Sequence, residues 1–106
     1  MTIDQISIFL ENKFGRLNEI LSILSKEDIR IIAASVADTS DYGILRLITN
    51  NQIKALQVLK ENGVSANRNA VLAISVDSTA GRMSQTIESF TKAGINIEYM
   101  YCFSTN

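Results

Sequence analysis

The 106 residues contain no histidine, no proline and no tryptophan, and a single cysteine, Cys102. Without imidazole there is no Ser–His or Cys–His nucleophile pair and no His-ligated metal. One thiol excludes an internal disulfide and a zinc site built from several cysteines. A charge bias is missing as well. Ten Lys and Arg stand against eleven Asp and Glu, a net charge of −1, so no basic field exists to hold a nucleic acid. No apolar run reaches the roughly 18 residues of a membrane helix. The N-terminus, Met1-Thr2-Ile3-Asp4-Gln5, has an acid where a signal peptide carries basic residues. P-loop, nucleophile-elbow and Cys-x-x-Cys signatures are all lacking. The expectation is a cytoplasmic protein that binds neither membrane nor nucleic acid, has no cofactor and is not an enzyme.

What is present is a core's worth of apolar residues, 46% of the chain, in the length of one ordinary domain or two very small ones. Ile6, Ile8 and Leu10 alternate within Ile3–Leu10, which predicts a strand. After the break at Glu11–Gly15, Leu17, Ile20, Leu21 and Leu24 recur at helical spacing. Ile29–Ala37 is β-branched and apolar and reads as a buried strand. The polar loop Asp38–Gly43 joins it to a strand over Ile44–Thr49, as an antiparallel hairpin. Asn50-Asn51 offers an N-cap for a helix whose core stripe is Ile53, Ala55, Leu56, Val58 and Leu59. Asn62-Gly63 ends that helix, and Val64 to about Arg68 is a short, weak strand. Strand, helix, strand, strand, helix, strand is the order of an α+β, ferredoxin-like sandwich, with four antiparallel strands and two helices on one face.

The rest of the chain begins the same pattern again. Val71–Val76 matches the first strand, and Gly15-Arg16-Leu17 returns 66 residues later as Gly81-Arg82-Met83. At that offset Leu21 meets Ile87, Leu24 meets Phe90, Ile29 meets Ile95 and Ile31 meets Ile97. This is an internal duplication. The expected organisation is a full unit over 1–69 and a partial βαβ unit over 70–106. The second copy has no counterpart of the first unit's third strand, which lies between the other two in such a sheet. Strands at 71–76 and 95–103 are therefore left without a neighbour, with an apolar open edge. Three arrangements stay open: a longer chain, a sheet completed by another subunit, or a last strand added to the first unit's edge.

These residues resemble ACT domains. The loops Glu11–Leu17 and Asp77–Met83 are similar to the first loop of that family. So are Glu27–Ile31 and Lys92–Ile97, and the hairpin Ser35–Ile48 is similar to that of small proteins with two ACT domains. Phe14 and Ala80 stand where the family often has proline, which costs the loops some stiffness. The resemblance implies a regulatory module that pairs side by side, as a homo-oligomer such as a dimer. It implies that an amino acid or similar metabolite binds at the seam, held by the first loop, the start of the first helix and the second strand.

The candidate ligand-binding residues follow from both lines of reasoning. Gly15 and Gly81 permit close backbone approach and leave helix amides for a carboxylate, or are plain turn glycines. Asn12 and Asp77 can meet an α-amino group, or serve as loop caps. Arg16 and Arg82 can grip a carboxylate, or lie on a solvated helix face. Leu17 and Met83 fill the core or the interface. Asn96, at the start of the last expected strand, can offer side-chain amide contacts to a ligand at the seam, or is a turn residue after Gly94, and Ile97 beside it is a candidate contact with it. Tyr99, Met100, Tyr101 and Phe103 read as an interface or a buried strand, and Cys102 as a small buried residue. The expected function is binding of an amino acid between units or subunits. The alternative is an interaction module with no ligand.

Overall fold

The computed structural model describes residues 1–38 and 42–104, so residues 39–41, the middle of the loop expected at Asp38–Gly43, lie outside the described residues. The chain divides into two compact units, Thr2–Leu72 and Ala73–Asn106 with Met1.

The first unit runs β1 (Thr2–Glu11), α1 (Arg16–Lys26), β2 (Ile31–Asp38), β3 (Tyr42–Thr49), α2 (Gln52–Glu61) and β4 (Ala66–Leu72). Its sheet has the order β2-β3-β1-β4, with every pair antiparallel. This is the ferredoxin-like arrangement, with β3 inserted between β1 and β2. Register does the sorting. Pairing Ile6 with Leu47 and Ile8 with Leu45 sends four aliphatic side chains to one face. There they meet Ile20 and Leu24 of α1 and Ala55, Val58 and Leu59 of α2 in one buried cluster. The expected helix stripes are only partly core. Ile20 and Leu24 are buried, but Leu17 is exposed, and Ile53 in the first turn of α2 faces solvent. A helix has room for about a 100° apolar face against the sheet, and these residues fall at its margin.

The entry to α2 is fixed by side-chain oxygens. Asn51 Oδ1 accepts the amide of Lys54 at 3.1 Å. The amide and hydroxyl of Thr49 both donate to Gln52 Oε1, at 2.9 and 2.7 Å. Gln52 Nε2 in turn donates to the Asp4 carbonyl on β1 at 2.7 Å. At the far end Gly63 takes a left-handed φ of 74°, and the Val64 amide returns to the Leu59 carbonyl at 3.0 Å. Val64 thus closes the helix rather than opening a strand. β4 lies later and is longer than the expected Val64–Arg68, because seven positions find partners along β1. Val71 and Leu72, assigned by sequence to the second copy's first strand, are the end of that ladder.

In the second unit the expected helix forms as α3 (Arg82–Lys92), yet none of its residues is buried. Residues 73–77 and 95–104 join no ladder. A strand exists only where a neighbour takes its amides and carbonyls, and the position between these two segments has no occupant within the unit. Cys102 is consequently exposed, not buried.

What the second unit does retain is the pair of bends that bracket the helix. Gly15 and Gly81 precede α1 and α3 with φ of 80° and 88°. After the helices, Ile29 N donates to the Leu24 carbonyl at 3.1 Å and Ile95 N to the Phe90 carbonyl at 2.9 Å. The left-handed residue that allows this is Gly94 in α3 but Asp28, at φ 56°, in α1. A side chain there costs of order 1 kcal/mol, and an acid at a helix C-terminus opposes the helix dipole. Asp28→Gly is therefore expected to stabilise the first unit by about 1 kcal/mol, a rise in thermal midpoint of about 4–8 °C by circular dichroism. Asp28→Ala, which removes the charge but keeps the left-handed strain, gains much less.

Candidate functional site

The end of β1 and the start of α1 border a groove of about 490 Å³. Its floor is apolar, from Leu10, Leu17 and Leu21 with Val36 of β2, and its rim carries Glu11, Asn12, Lys13 and Gly15. The second unit has a groove of about 480 Å³ at the matching place. Val76, Asp77, Ser78, Thr79, Gly81 and Met83 lie 66 residues after Leu10, Glu11, Asn12, Lys13, Gly15 and Leu17. The correspondence even extends across the groove, where Cys102 stands at the place of Val36. The duplication has therefore reproduced a concave feature and not merely a helix.

Both grooves end on an unusual helix start. Neither α1 nor α3 has a side-chain cap, since the N-cap residue in each is a glycine. In α1 the Arg16 amide donates back to the Lys13 carbonyl at 3.1 Å, and Arg82 repeats this with Thr79 at 3.1 Å. The next amides, of Leu17 and Met83, have no side-chain oxygen of the kind that Asn51 supplies to α2. Donors and the positive end of the helix dipole thus face each groove, an arrangement suited to a small carboxylate.

Each groove also carries an acid–arginine pair. Arg16 Nε lies 3.3 Å from Glu11 Oε1, and its Nη1 donates to Glu19 Oε2 at 3.1 Å. The Nε approach is misaligned for a hydrogen bond, so charge alone holds that contact. In the second unit Arg82 Nε lies 3.6 Å from Asp77 Oδ2. The residue matching Glu19 is Gln85, so Arg82 has a single acidic partner and its side chain is more than half exposed. Arg16, with its side chain only 17% exposed, is a positioning group for the loop.

Of the residues singled out by sequence, Asn12, Gly15 and Leu17 line the first groove and Asp77, Gly81 and Met83 the second. Arg16 and Arg82 flank them through their ion pairs. Asn96 and Ile97 line neither. Sequence reasoning passed over Lys13, Asn18, Leu21, Val36 and Tyr42, and Thr79, Cys102 and Phe103. Extending the 66-residue offset from Val36 to Cys102 is the signal that would have found the far wall. Among the described residues, no helix is long and apolar enough to cross a membrane, and no group of three or more Cys, Asp or Glu side chains can hold a metal ion.

The Asp77 carboxyl is held below its ordinary value of 3.8 by the Thr79 side chain, then by the Thr79 amide, which donates to Oδ1 at 2.9 Å. A lowered value means the carboxylate's contacts favour the folded loop above the ordinary value and are lost as pH falls through the folded one. Thr79→Val removes the larger cause and keeps the amide. The Asp77 midpoint, followed by carboxyl-carbon NMR, is expected to move up towards 3.8 without reaching it.

No curated protein matches the sequence. Among solved structures, a protein from Bacteroides thetaiotaomicron is 40% identical, with a TM-score of 0.92 over 99% of this chain and 73% of that one. The regulatory subunit of aspartate kinase from Thermus thermophilus, in ligand-free form, is 15% identical, with a TM-score of 0.66 over 97% of this chain and 81% of that one. Its counterpart from Thermus flavus is 16% identical, at 0.66 over 97% and 80%. At these identities the two kinase subunits speak for the fold alone. The family model for an ACT domain pair matches residues 1–106 from end to end. The ferredoxin-like unit, the repeated grooves and that match agree: the chain belongs to the ACT domain pair family.

Proposed function

We propose that the chain is a regulatory module that binds a small amino acid in its grooves and works as a homo-oligomer in the cytoplasm. The observation that carries this reading is the recurrence of one groove, at nearly one volume, in both copies of the repeat. A packing defect has no reason to survive in duplicate while its lining side chains change. The volumes fall within the roughly 300–1,000 Å³ typical of small-ligand sites. An α-carboxylate suits the uncapped amides of Leu17 and Met83, just after Gly15 and Gly81, and an α-ammonium suits the acid on each rim. Each groove is only partly enclosed, so a second copy laid over it would supply the cover that a small ligand needs. Solved relatives of the fold include regulatory subunits of a kinase, in line with a module that reports on a metabolite to a partner. Binding regulates only if the ligand's affinity differs between two arrangements of the assembly.

A second reading, an interaction module without a ligand, draws on Ile74, Ile95, Met100 and Phe103. These are about half exposed in the second unit and call for cover. One experiment separates the two. Thermal unfolding of the full chain is followed with each of the twenty amino acids, alongside sedimentation velocity. A binder gains about RT ln(1 + [L]/Kd), near 2.7 kcal/mol at a hundredfold excess over Kd. At least one amino acid is expected to raise the midpoint, and the protein is expected to sediment as a dimer or larger. An oligomer whose midpoint no amino acid moves would transfer the assignment to the interaction module.

A further inference from the structure

The two grooves share a backbone plan but not a charge plan. In the first, Arg16 is engaged on both sides by Glu11 and Glu19, and little of it reaches solvent. Its charge is spent within the loop. Lys13, two residues before Gly15, lines the same groove. Among the described residues, no carboxylate lies within ion-pair distance of its ammonium. The first groove therefore holds a cation that, among the described residues, forms no ion pair; the one acid lining that groove, Glu11, is engaged with Arg16. In the second groove the matching residue is Thr79, which is turned to Asp77 through both its amide and its side chain. The other side chains of this groove are Val76, Met83, Cys102 and Phe103 with the hydroxyls of Ser78 and Ser104, so Asp77 is its one charged lining residue.

We infer that Lys13 makes the first groove selective for an amino acid bearing a second carboxylate, while the second groove favours a neutral side chain. This rests on the binding reading above and adds the ligand class to it. An uncompensated ammonium at the rim of an apolar floor gains from a carboxylate and gains far less from a carboxamide of the same shape. The carboxamide, in turn, loses nothing at the second groove, which is lined by neutral side chains and by the Asp77 carboxylate, an anion that disfavours a second carboxylate. Selectivity thus follows from one substitution between repeats, without any change of backbone.

The test is calorimetry on the full chain with two shape-matched pairs, aspartate against asparagine and glutamate against glutamine. The expected result is that the better acid binds about tenfold more tightly than its amide, with the ratio falling as salt is raised. In Lys13→Gln the acid-to-amide ratio should fall to about one, and in Lys13→Arg it should be retained. Amide NMR shifts should place the acid at Gly15 and a neutral amino acid at Gly81. Binding of amino acids with no preference for the acid, or a preference that survives Lys13→Gln, overturns the inference while leaving the binding function standing. Failure of every amino acid to bind overturns both.

Discussion

The ladder between β1 and β3 is the constraint on which the rest depends. Its register puts Ile6, Ile8, Leu45 and Leu47 on one face, all essentially without solvent exposure. A slip by one residue would turn that set outward and leave α1 and α2 with nothing to cover. The same ladder fixes where β1 stops. Glu11 is its last paired residue, opposite Tyr42, and the chain must then reverse into α1 within four residues. Gly15 accomplishes this with a left-handed φ, and the groove is the space left by that reversal. The groove's place is thus set by sheet register, although its rim is loop.

The second unit is an internal control. It repeats the helix, both bends and the acid–arginine pair, but among its described residues no strand stands where β3 stands. No residue of its helix is fully buried, and its flanking segments join no β ladder among the described residues. Local signals therefore suffice for α3 and its bends, whereas strands need a partner to satisfy their backbone. With no sheet to cover it, the helix stripe is only partly sheltered: Ile87 and Phe90 are half-buried, while Met83, and Ile95 beyond the helix, remain exposed.

The same division decides how much was legible in the sequence. Helix spans were readable because caps and i, i+3 spacing are local: the start after Gly15, the cap at Asn51 and the stop at Gly63 all occur where expected. The strand order followed from the split βαβ pattern. β4 was misplaced because Asn67-Arg68-Asn69 carries no apolar alternation, and only the pairing with β1 makes it a strand. Leu17 and Leu21 were recognisable as a helix face, yet nothing local distinguishes a residue that meets the core from one that meets a groove. The loop side of the site was visible through its glycines. The far wall was not, since Val36 and Cys102 are ordinary until a fold brings them opposite Leu17 and Met83.

On the proposed reading, Leu10 is where binding would become a signal. It lines the first groove and also packs against the core cluster that includes Ile8 and Ile20. A ligand seated there would restrict the bend between β1 and α1, and the restriction passes by contact into residues that have no free volume to absorb it. The linkage must be reciprocal: whatever arrangement tightens the bend also tightens binding, by the same factor. Duplication adds a further property. Two grooves built on one backbone plan but lined by Lys13 in one and Thr79 in the other need not fill at the same concentration or with the same compound. If both grooves bind as proposed, such a chain would respond to the balance of two metabolites rather than to the level of one, and the difference in lining charge, not in fold, would set that balance.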